Sequence, residues 1–173
     1  RALGKPIADV VGPHPFTGWQ TALDPLLTPG ARNYWKSHDF KQLDDGFLKV
    51  LLDAVGRLPG PECEVFIGHL GAAVNRVPVE ATAYPHRDIE FIMNVHTRWR
   101  EPDQACIAWA RQLFDAATPF ATGGVYVNFM PEDEAQRVQK GAYGRNYDRL
   151  AKLKAKFDPT NLFRMNQNIK PAS

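Results

Sequence analysis

Cysteine is scarce in this chain, and the few cysteines present exclude a disulfide-based fold. Only Cys63 and Cys106 occur among 173 residues, and they form no Cys-x-x-Cys pair. Two cysteines cannot supply the set of disulfides that holds a small secreted domain together. We therefore predict that both side chains are buried thiols.

The sequence also lacks the motifs of several self-contained enzymes. It has no Gly-x-x-x-x-Gly-Lys-Ser/Thr loop, no Gly-x-Gly-x-x-Gly loop and no Gly-x-Ser-x-Gly elbow. Its five histidines show no His-Glu-x-x-His or other metal-ligand spacing. These absences argue against a nucleotide enzyme, a serine hydrolase or a zinc enzyme, and we predict no metal site.

Neither a strong charge of one sign nor a long apolar run is present. The net charge is only +2, with 21 basic and 19 acidic residues, so we predict no nucleic acid partner. No apolar run approaches the roughly 20 residues that span a bilayer, so we predict no membrane partner. The chain begins at Arg1 without a recognisable signal peptide, which weakly indicates a cytoplasmic location and leads us to expect part of a longer protein.

Hydrophobic periodicity predicts a mixture of helices and strands. Apolar residues recur every three to four positions in some segments and alternate in others. Helices are predicted at Phe40–Leu58 with Asp39 as the cap, Glu101–Ala117, 132–140 and Tyr143–Phe157; strands are predicted at Glu64–Leu70, Ile89–His96 and Val125–Met130, with a short strand or turn at Ile7–Val11. Single apolar stripes on the helices favour an α+β fold, in which one layer of helices covers one face of an antiparallel sheet. We predict a single domain over residues 1–173.

Two of the predicted strands carry polar side chains with chemical potential. If Val125–Met130 is a strand, Tyr126 and Asn128 share one face, where they either line a pocket or form an amphipathic, half-covered surface. A phenol acts as a base only if a cation or hydrogen bond stabilises its anion. His69 and Asn94 lie on the other predicted strands, where each is either a ligand-binding group or an ordinary satisfied polar residue.

Four motifs together resemble one enzyme family. They are NYWKSHDF (33–40), ATAYPHR (81–87), YVNF (126–129) and YGRNYDRLAKLKAKFDPTNLFRMNQNI (143–169). Their order and type are similar to those of the berberine-bridge-enzyme-like FAD-linked oxidases, which are vanillyl-alcohol-oxidase-like flavoproteins. The resemblance covers nearly the whole chain, and the terminal berberine-bridge-like segment spans about residues 127–171.

The resemblance implies a substrate-binding region without its FAD-binding domain, which would precede this chain in a longer protein. FAD would be the cofactor, and its attachment residues are not in this chain. The implied reaction is oxidation of a small organic substrate (alcohol, sugar, amine or secondary metabolite) by hydride transfer to flavin, with oxygen giving hydrogen peroxide. The isolated chain would be inactive. The alternative is a non-catalytic α+β module for ligand binding or dimerisation.

Site residues follow from the same resemblance. Tyr126 is implied as the active-site base or a phenol that orients the substrate, and His69 and Asn94 as further substrate-binding residues. Cofactor contacts are implied for six residues: Asn128, Tyr143, Asn146, Asn166, Gln167 and Asn168. Amides suit the heteroatom edge of a flavin because they donate and accept hydrogen bonds without charge. Met165 and Ile169 are expected to hold the terminal amides against the sheet.

Overall fold

The structure is a computed structural model that describes residues 4, 5, 9, 11–100 and 104–173. The chain divides into two compact units, Arg1–Ala31 and Arg32–Ser173. The first unit contains helix α1, Phe16–Gln20, and a 3-10 turn at Asp24–Leu26. The predicted strand or turn at Ile7–Val11 falls largely outside the described residues.

The second unit is built on a three-stranded antiparallel sheet. Its strands are β1 (Arg32–Phe40), β2 (Glu64–His69) and β3 (Phe91–Trp99), in the order β1-β3-β2. Strand β3 is therefore central, and β2 pairs with β3 along one edge. The predicted α+β class with an antiparallel sheet is confirmed.

Two helices cover one face of this sheet, here called the helix face. They are α2 (Asp45–Val55) and α3 (Gln104–Ala117), and α3 packs on both β1 and β3. Met93 and Val95 of β3 are fully buried in this core, together with Phe40 and Phe47. The two helices are also joined by a hydrogen bond that the Trp109 indole donates to the Ala54 carbonyl oxygen at 3.1 Å. Burying four large apolar side chains at about 1.5–3 kcal/mol each makes this face the principal stabilising contact.

The start of the helix predicted at Phe40–Leu58 is wrong, because Phe40 is the last residue of strand β1. Residues 33–40 are extended, and α2 begins at Asp45, where the Asp44 carboxylate accepts a hydrogen bond from the Phe47 backbone N–H at 2.9 Å. The strand was hidden because polar residues occupy its buried positions. Lys36 is one such residue, and it reaches the Glu134 carboxylate at 2.8 Å.

The predicted strand at Val125–Met130 is wrong. Tyr126 is extended, but Val127–Phe129 is a 3-10 turn in which the Phe129 N–H donates to the Tyr126 carbonyl oxygen at 2.9 Å. The chain then continues through a 3-10 helix, Glu132–Arg137, and a π-helix, Val138–Tyr143, so the helical prediction for 132–140 is confirmed in another geometry. The last helix, α4, spans Tyr147–Phe157 and is shorter than predicted.

Candidate functional site

The sheet face opposite α2 and α3 is unusually polar. Residues paired across neighbouring antiparallel strands point to the same face. Trp35 pairs with His96 and Ser37 pairs with Asn94, so all four lie on this side, together with Asp39. We call this set of five residues the polar face. Ser37 and Asp39 are fully buried and Asn94 is 8 % exposed, so other segments of the chain cover much of it.

His96 is fixed by its neighbours at one end of the polar face. Its ring stacks on Trp35 with centroids 5.0 Å apart and planes 4° from parallel. Its Nδ1 lies 3.2 Å from Glu64 Oε1 and its Nε2 lies 3.0 Å from Asn33 Oδ1. With both ring nitrogens engaged, His96 serves to hold the indole of Trp35 in place.

Asn94 has hydrogen-bonding capacity to spare. Its Oδ1 is buried and accepts no hydrogen bond from any part of the chain that the structure describes, and the same holds for the Ser37 hydroxyl beside it. Buried polar atoms are nearly always satisfied, so an unsatisfied pair marks a place where a ligand or water completes the bonding. This position agrees with a substrate-binding role for Asn94, which stays a prediction.

His69 lies on the other side of the sheet, which corrects its expected place beside Asn94. It pairs with Phe91 at the end of β2, and the two rings are 5.2 Å apart. Phe91 packs against the core beneath the helices. The His69 side chain is 68 % exposed, and its Nε2 is 3.2 Å from Glu90 Oε2. Side chains alternate between the two faces of a strand, and Phe66 shares the face of Asn94. His69, three residues after Phe66, therefore belongs to the opposite face.

Tyr126 and Asn128 meet directly, although they do not lie on a strand. The Asn128 amide donates a hydrogen bond to the Tyr126 hydroxyl oxygen at 2.7 Å. The 3-10 turn makes this possible because it folds Asn128 back towards Tyr126. This hydrogen bond fixes the position of the phenol oxygen.

An apolar cavity of roughly 330 Å³ adjoins the Tyr126 ring, and we call it the aromatic cavity. Its walls come from both the sheet and the loops that cover it. They are formed by Phe66, Leu70, Val74, Tyr84, Ile92, Tyr126 and Phe129. The Tyr126 ring meets Tyr84 and Phe129 edge to face, with centroids 6.3 and 5.1 Å away. These contacts fix the ring and leave its hydroxyl to be positioned by Asn128.

A second depression, of roughly 660 Å³, brings together three of the predicted cofactor-binding amides. Asn128, Asn166 and Gln167 line it together with Trp35, and we call it the amide groove. The terminal segment is held there by Gln167, whose side-chain amide donates to the Met130 carbonyl oxygen at 2.8 Å. The amide groove and the aromatic cavity therefore lie on either side of the Tyr126–Asn128 hydrogen bond.

Other predicted cofactor residues lie outside the groove. Asn146 is buried, and its amide donates to the carbonyl oxygens of Val79 and Thr82 at 2.8 and 3.1 Å, so it fastens a turn instead of facing a ligand. Tyr143 packs against a small core around Val125, and burial raises the pKa of its phenol. Both side chains have structural partners within this chain, and their cofactor contacts stay predictions.

The terminal amide run is only partly as expected. Asn168 Oδ1 is buried and, among the described residues, accepts no hydrogen bond. The Asn168 backbone N–H donates to the Asn166 carbonyl oxygen at 3.0 Å, and Asn166 adopts a left-handed φ of 59°. Met165 is 84 % exposed, so it does not hold the run against the sheet. Gln167 does so instead, through its bond to Met130.

Sequence reasoning missed a buried acid at the far end of the polar face. Asp39 is fully buried, and burial raises the pKa of its carboxyl to about 7. His86 Nδ1 lies 3.8 Å away, and burial lowers the pKa of that imidazole. Gly124 closes over the pair so tightly that an added Cβ would stand 2.6 Å from Asp39 Oδ2. The Gly123-Gly124 doublet was the available sequence signal, since glycine permits such a close approach.

A family model now accounts for the segment that carries Tyr126, Asn128 and the terminal amides. Residues 125–170 match the family described as "Berberine and berberine like". We call these residues the berberine-like segment, after the family that they resemble. The predicted resemblance is thereby confirmed.

Similar proteins extend the likeness upstream of the berberine-like segment. An FAD-linked oxidoreductase of Dictyostelium discoideum is 29 % identical over 98 % of the chain, which corresponds to 38 % of that protein. An uncharacterised FAD-linked oxidoreductase of Bacillus subtilis, YvdP, is 32 % identical over 78 % of the chain and 30 % of its own length. The chain therefore spans about a third of these curated relatives, and FAD is the cofactor in their names.

A solved structure shares the fold around the berberine-like segment. A glycopeptide hexose oxidase crystallised with teicoplanin superposes with a TM-score of 0.73 at 25 % identity, over 82 % of this chain and 33 % of that one.

No helix in the described part of the chain is long and apolar enough to cross a membrane. Within those same residues, no group of three or more His, Cys, Asp or Glu side chains is placed to hold a metal ion.

Proposed function

We propose that residues 1–173 are the C-terminal, substrate-binding region of an FAD-dependent oxidoreductase. A separate FAD-binding domain of the longer protein would complete it. The observation that carries this proposal is the meeting of Tyr126, Asn128 and the terminal amides at one place, within a berberine-like segment. Names of relatives support FAD as the cofactor.

The amide groove has the chemistry that one edge of a flavin ring requires. Asn128, Asn166 and Gln167 offer donors and acceptors without formal charge, and Trp35 adds a flat apolar surface. In this proposal Asn128, Asn166 and Gln167 hold the ring, and Asn168 steadies them. FAD bound there would supply the hydride acceptor for oxidation of the substrate, and its reoxidation by oxygen would give hydrogen peroxide.

Tyr126 is the group we assign to proton removal. Its hydroxyl oxygen accepts a hydrogen bond from Asn128 at 2.7 Å, which holds the phenol oxygen in one position. Its ring is part of the aromatic cavity, which receives the apolar portion of a substrate. Asn94, the cross-strand partner of Phe66 in the cavity wall, is the residue we assign to orienting a hydroxyl or amine of the substrate; it lines neither cavity, so its side chain would have to turn to do so. A small alcohol, sugar, amine or secondary metabolite fits these requirements.

Anaerobic flavin reduction in the full-length protein containing this chain tests the proposal. The purified protein should absorb near about 450 nm, and Tyr126→Phe should slow bleaching by about 100-fold or more because the base is lost. Tyr147→Phe is the matched control: that phenol packs against the small Val125 core and lines neither the groove nor the cavity.

Two results would separate the alternatives. A protein that binds no flavin and oxidises no substrate would favour the non-catalytic ligand-binding or dimerisation module. A flavoprotein whose Tyr126→Phe variant reduces flavin at the normal rate would retain the oxidoreductase proposal but place the base elsewhere. The 173-residue chain alone should be inactive, and peroxide formation by the isolated chain would contradict the two-domain arrangement.

A further inference from the structure

The two cysteines of the chain, far apart in sequence, touch in the folded structure. Cys63 stands immediately before β2 and Cys106 lies near the start of the described part of α3. Their Sγ atoms are 3.8 Å apart, and the side chains are 5 % and 2 % exposed. The predicted burial of both thiols is confirmed, but their proximity was not expected from the sequence.

We propose that Cys63 and Cys106 are a site of disulfide formation. A disulfide requires an S–S separation of about 2.05 Å, so the sulfurs must approach by only about 1.8 Å. Small rotations of the two side chains supply movement of that size. The sulfurs therefore face each other across a gap that a covalent bond can close without separating β2 from α3.

The reaction is a thiol–disulfide exchange with a small-molecule disulfide of the oxidised-glutathione class. One cysteine thiolate attacks the reagent and releases one reduced thiol, leaving a mixed disulfide on the protein. The second cysteine then attacks the protein sulfur of that mixed disulfide and releases the second reduced thiol. Two protein thiols are oxidised, one reagent disulfide is reduced, and the two protons go to the released thiolates.

The cross-link would act on β2, the shorter of the two edge strands of the sheet. Strand β2 pairs with β3 on one side, whereas β3 is paired on both. The other end of β2 leads to Leu70, and Phe66 lies in its middle, so this strand forms part of the aromatic cavity. Joining its first residues to α3 would keep that wall in register, since α3 is itself packed on β1 and β3.

Peptide mapping gives a direct test, because trypsin separates the two cysteines cleanly. Cys63 falls in residues 58–76 and Cys106 in residues 101–111, and neither peptide contains an internal Lys or Arg. The full-length protein is incubated in a glutathione redox buffer under native conditions for a day. Thiols are then blocked with iodoacetamide, and the digest is analysed by mass spectrometry without reduction. We expect the two peptides joined, with a mass two hydrogens below their sum.

The unfolded protein is the quantitative control. A parallel sample in urea should show a cross-linking equilibrium constant about 100- to 1,000-fold smaller, because the folded chain holds the ends of a 44-residue loop together. Reduction should lower the Tm by about 10 °C in the wild type. The Cys63→Ser/Cys106→Ser variant should show no such shift.

Three outcomes would overturn the proposal. The first is recovery of both peptides separately alkylated from the native sample. The second is glutathione attached to one cysteine without the internal bond. The third is equal cross-linking in urea and in buffer, because chance pairing would then explain the bond.

Discussion

Asp39 makes the stability of this chain depend on pH in a way that one substitution can abolish. Its carboxyl is fully buried, and in the described structure neither oxygen accepts a hydrogen bond. Burial raises its pKa from 3.8 to about 7, while more distant Arg137 lowers it and Asp88 raises it slightly. The nearest ionisable group, His86, has a lowered pKa and is neutral near pH 7, so it does not balance a negative Asp39.

The sign of the effect follows from the raised pKa. In the unfolded chain Asp39 ionises near pH 4, whereas in the folded chain it stays protonated to about pH 7. The resulting contribution to stability is fully present below about pH 4 and is lost as the pH rises through about 7. Between pH 5 and pH 8 the loss comes to about 2–3 kcal/mol, because each pKa unit corresponds to about 1.4 kcal/mol.

The variant Asp39→Asn removes this dependence while keeping the size of the side chain. Urea unfolding of the wild type and the variant, followed by tryptophan fluorescence at pH 5, 6, 7 and 8, gives the difference in their unfolding free energies. That difference should move in favour of the variant by about 2–3 kcal/mol from pH 5 to pH 8. A difference that stays constant would refute the reasoning, because it would mean that Asp39 titrates alike in both states.

Asp88→Asn is the matched control for that experiment. The Asp88 side chain is 73 % exposed and forms an ion pair with Lys41. The hydrogen bond from Lys41 is the main reason why the pKa of this carboxylate is lowered. The contribution of Asp88 to stability is therefore lost only when the pH falls below the ordinary pKa of an aspartate, 3.8. The difference between this variant and the wild type should change far less from pH 5 to pH 8 than it does for Asp39→Asn, since Asp88 contributes least of the three causes that set the Asp39 pKa.

Two further substitutions test other buried polar contacts. Asn146→Ala should lower the unfolding free energy by about 1–3 kcal/mol, since two carbonyl oxygens of the 79–82 turn lose their donor; a loss of flavin without loss of stability would instead restore its predicted cofactor role. Glu134→Gln should cost roughly 3–5 kcal/mol in urea unfolding, and more than Lys36→Met, because Glu134 faces two cations, Lys36 at 2.8 Å and Arg137 at 3.0 Å. The reverse order would show that Lys36 carries the network.

Where the sequence pattern was simple, prediction and structure agree. Strand β3 was predicted at Ile89–His96 and lies at Phe91–Trp99, because Phe91, Met93 and Val95 recur at every second position and their face meets the helices. Strand β2 ends within one residue of its predicted limit. Both follow from local periodicity, which a single segment carries by itself.

Prediction failed where distant residues decide the local structure. Strand β1 buries Lys36 because Glu134, almost a hundred positions later, satisfies its charge, and nothing near Lys36 in sequence indicates this. The segment around Tyr126 is rich in β-branched and aromatic residues, as strands are, yet its Val125 N–H donates to the Gly141 carbonyl oxygen and the chain turns. Tyr126 and Asn128 are close, as predicted, but not because they share one face of a strand. A 3-10 turn brings the two side chains into direct contact.

The bond between Tyr126 and Asn128 also divides the surroundings of the phenol by polarity. On one side stand the aromatic and aliphatic side chains of the aromatic cavity, and on the other Asn166 and Gln167 of the amide groove. The apolar and polar ends of a bound molecule would therefore be recognised by two separate sets of residues. Changes in β2 or the following loops would alter which hydrocarbon groups are accepted, while changes after Phe163 would alter the hydrophilic partner. Substitutions in the aromatic cavity and in the amide groove could therefore change the two parts of the specificity separately, while Tyr126 stays unchanged.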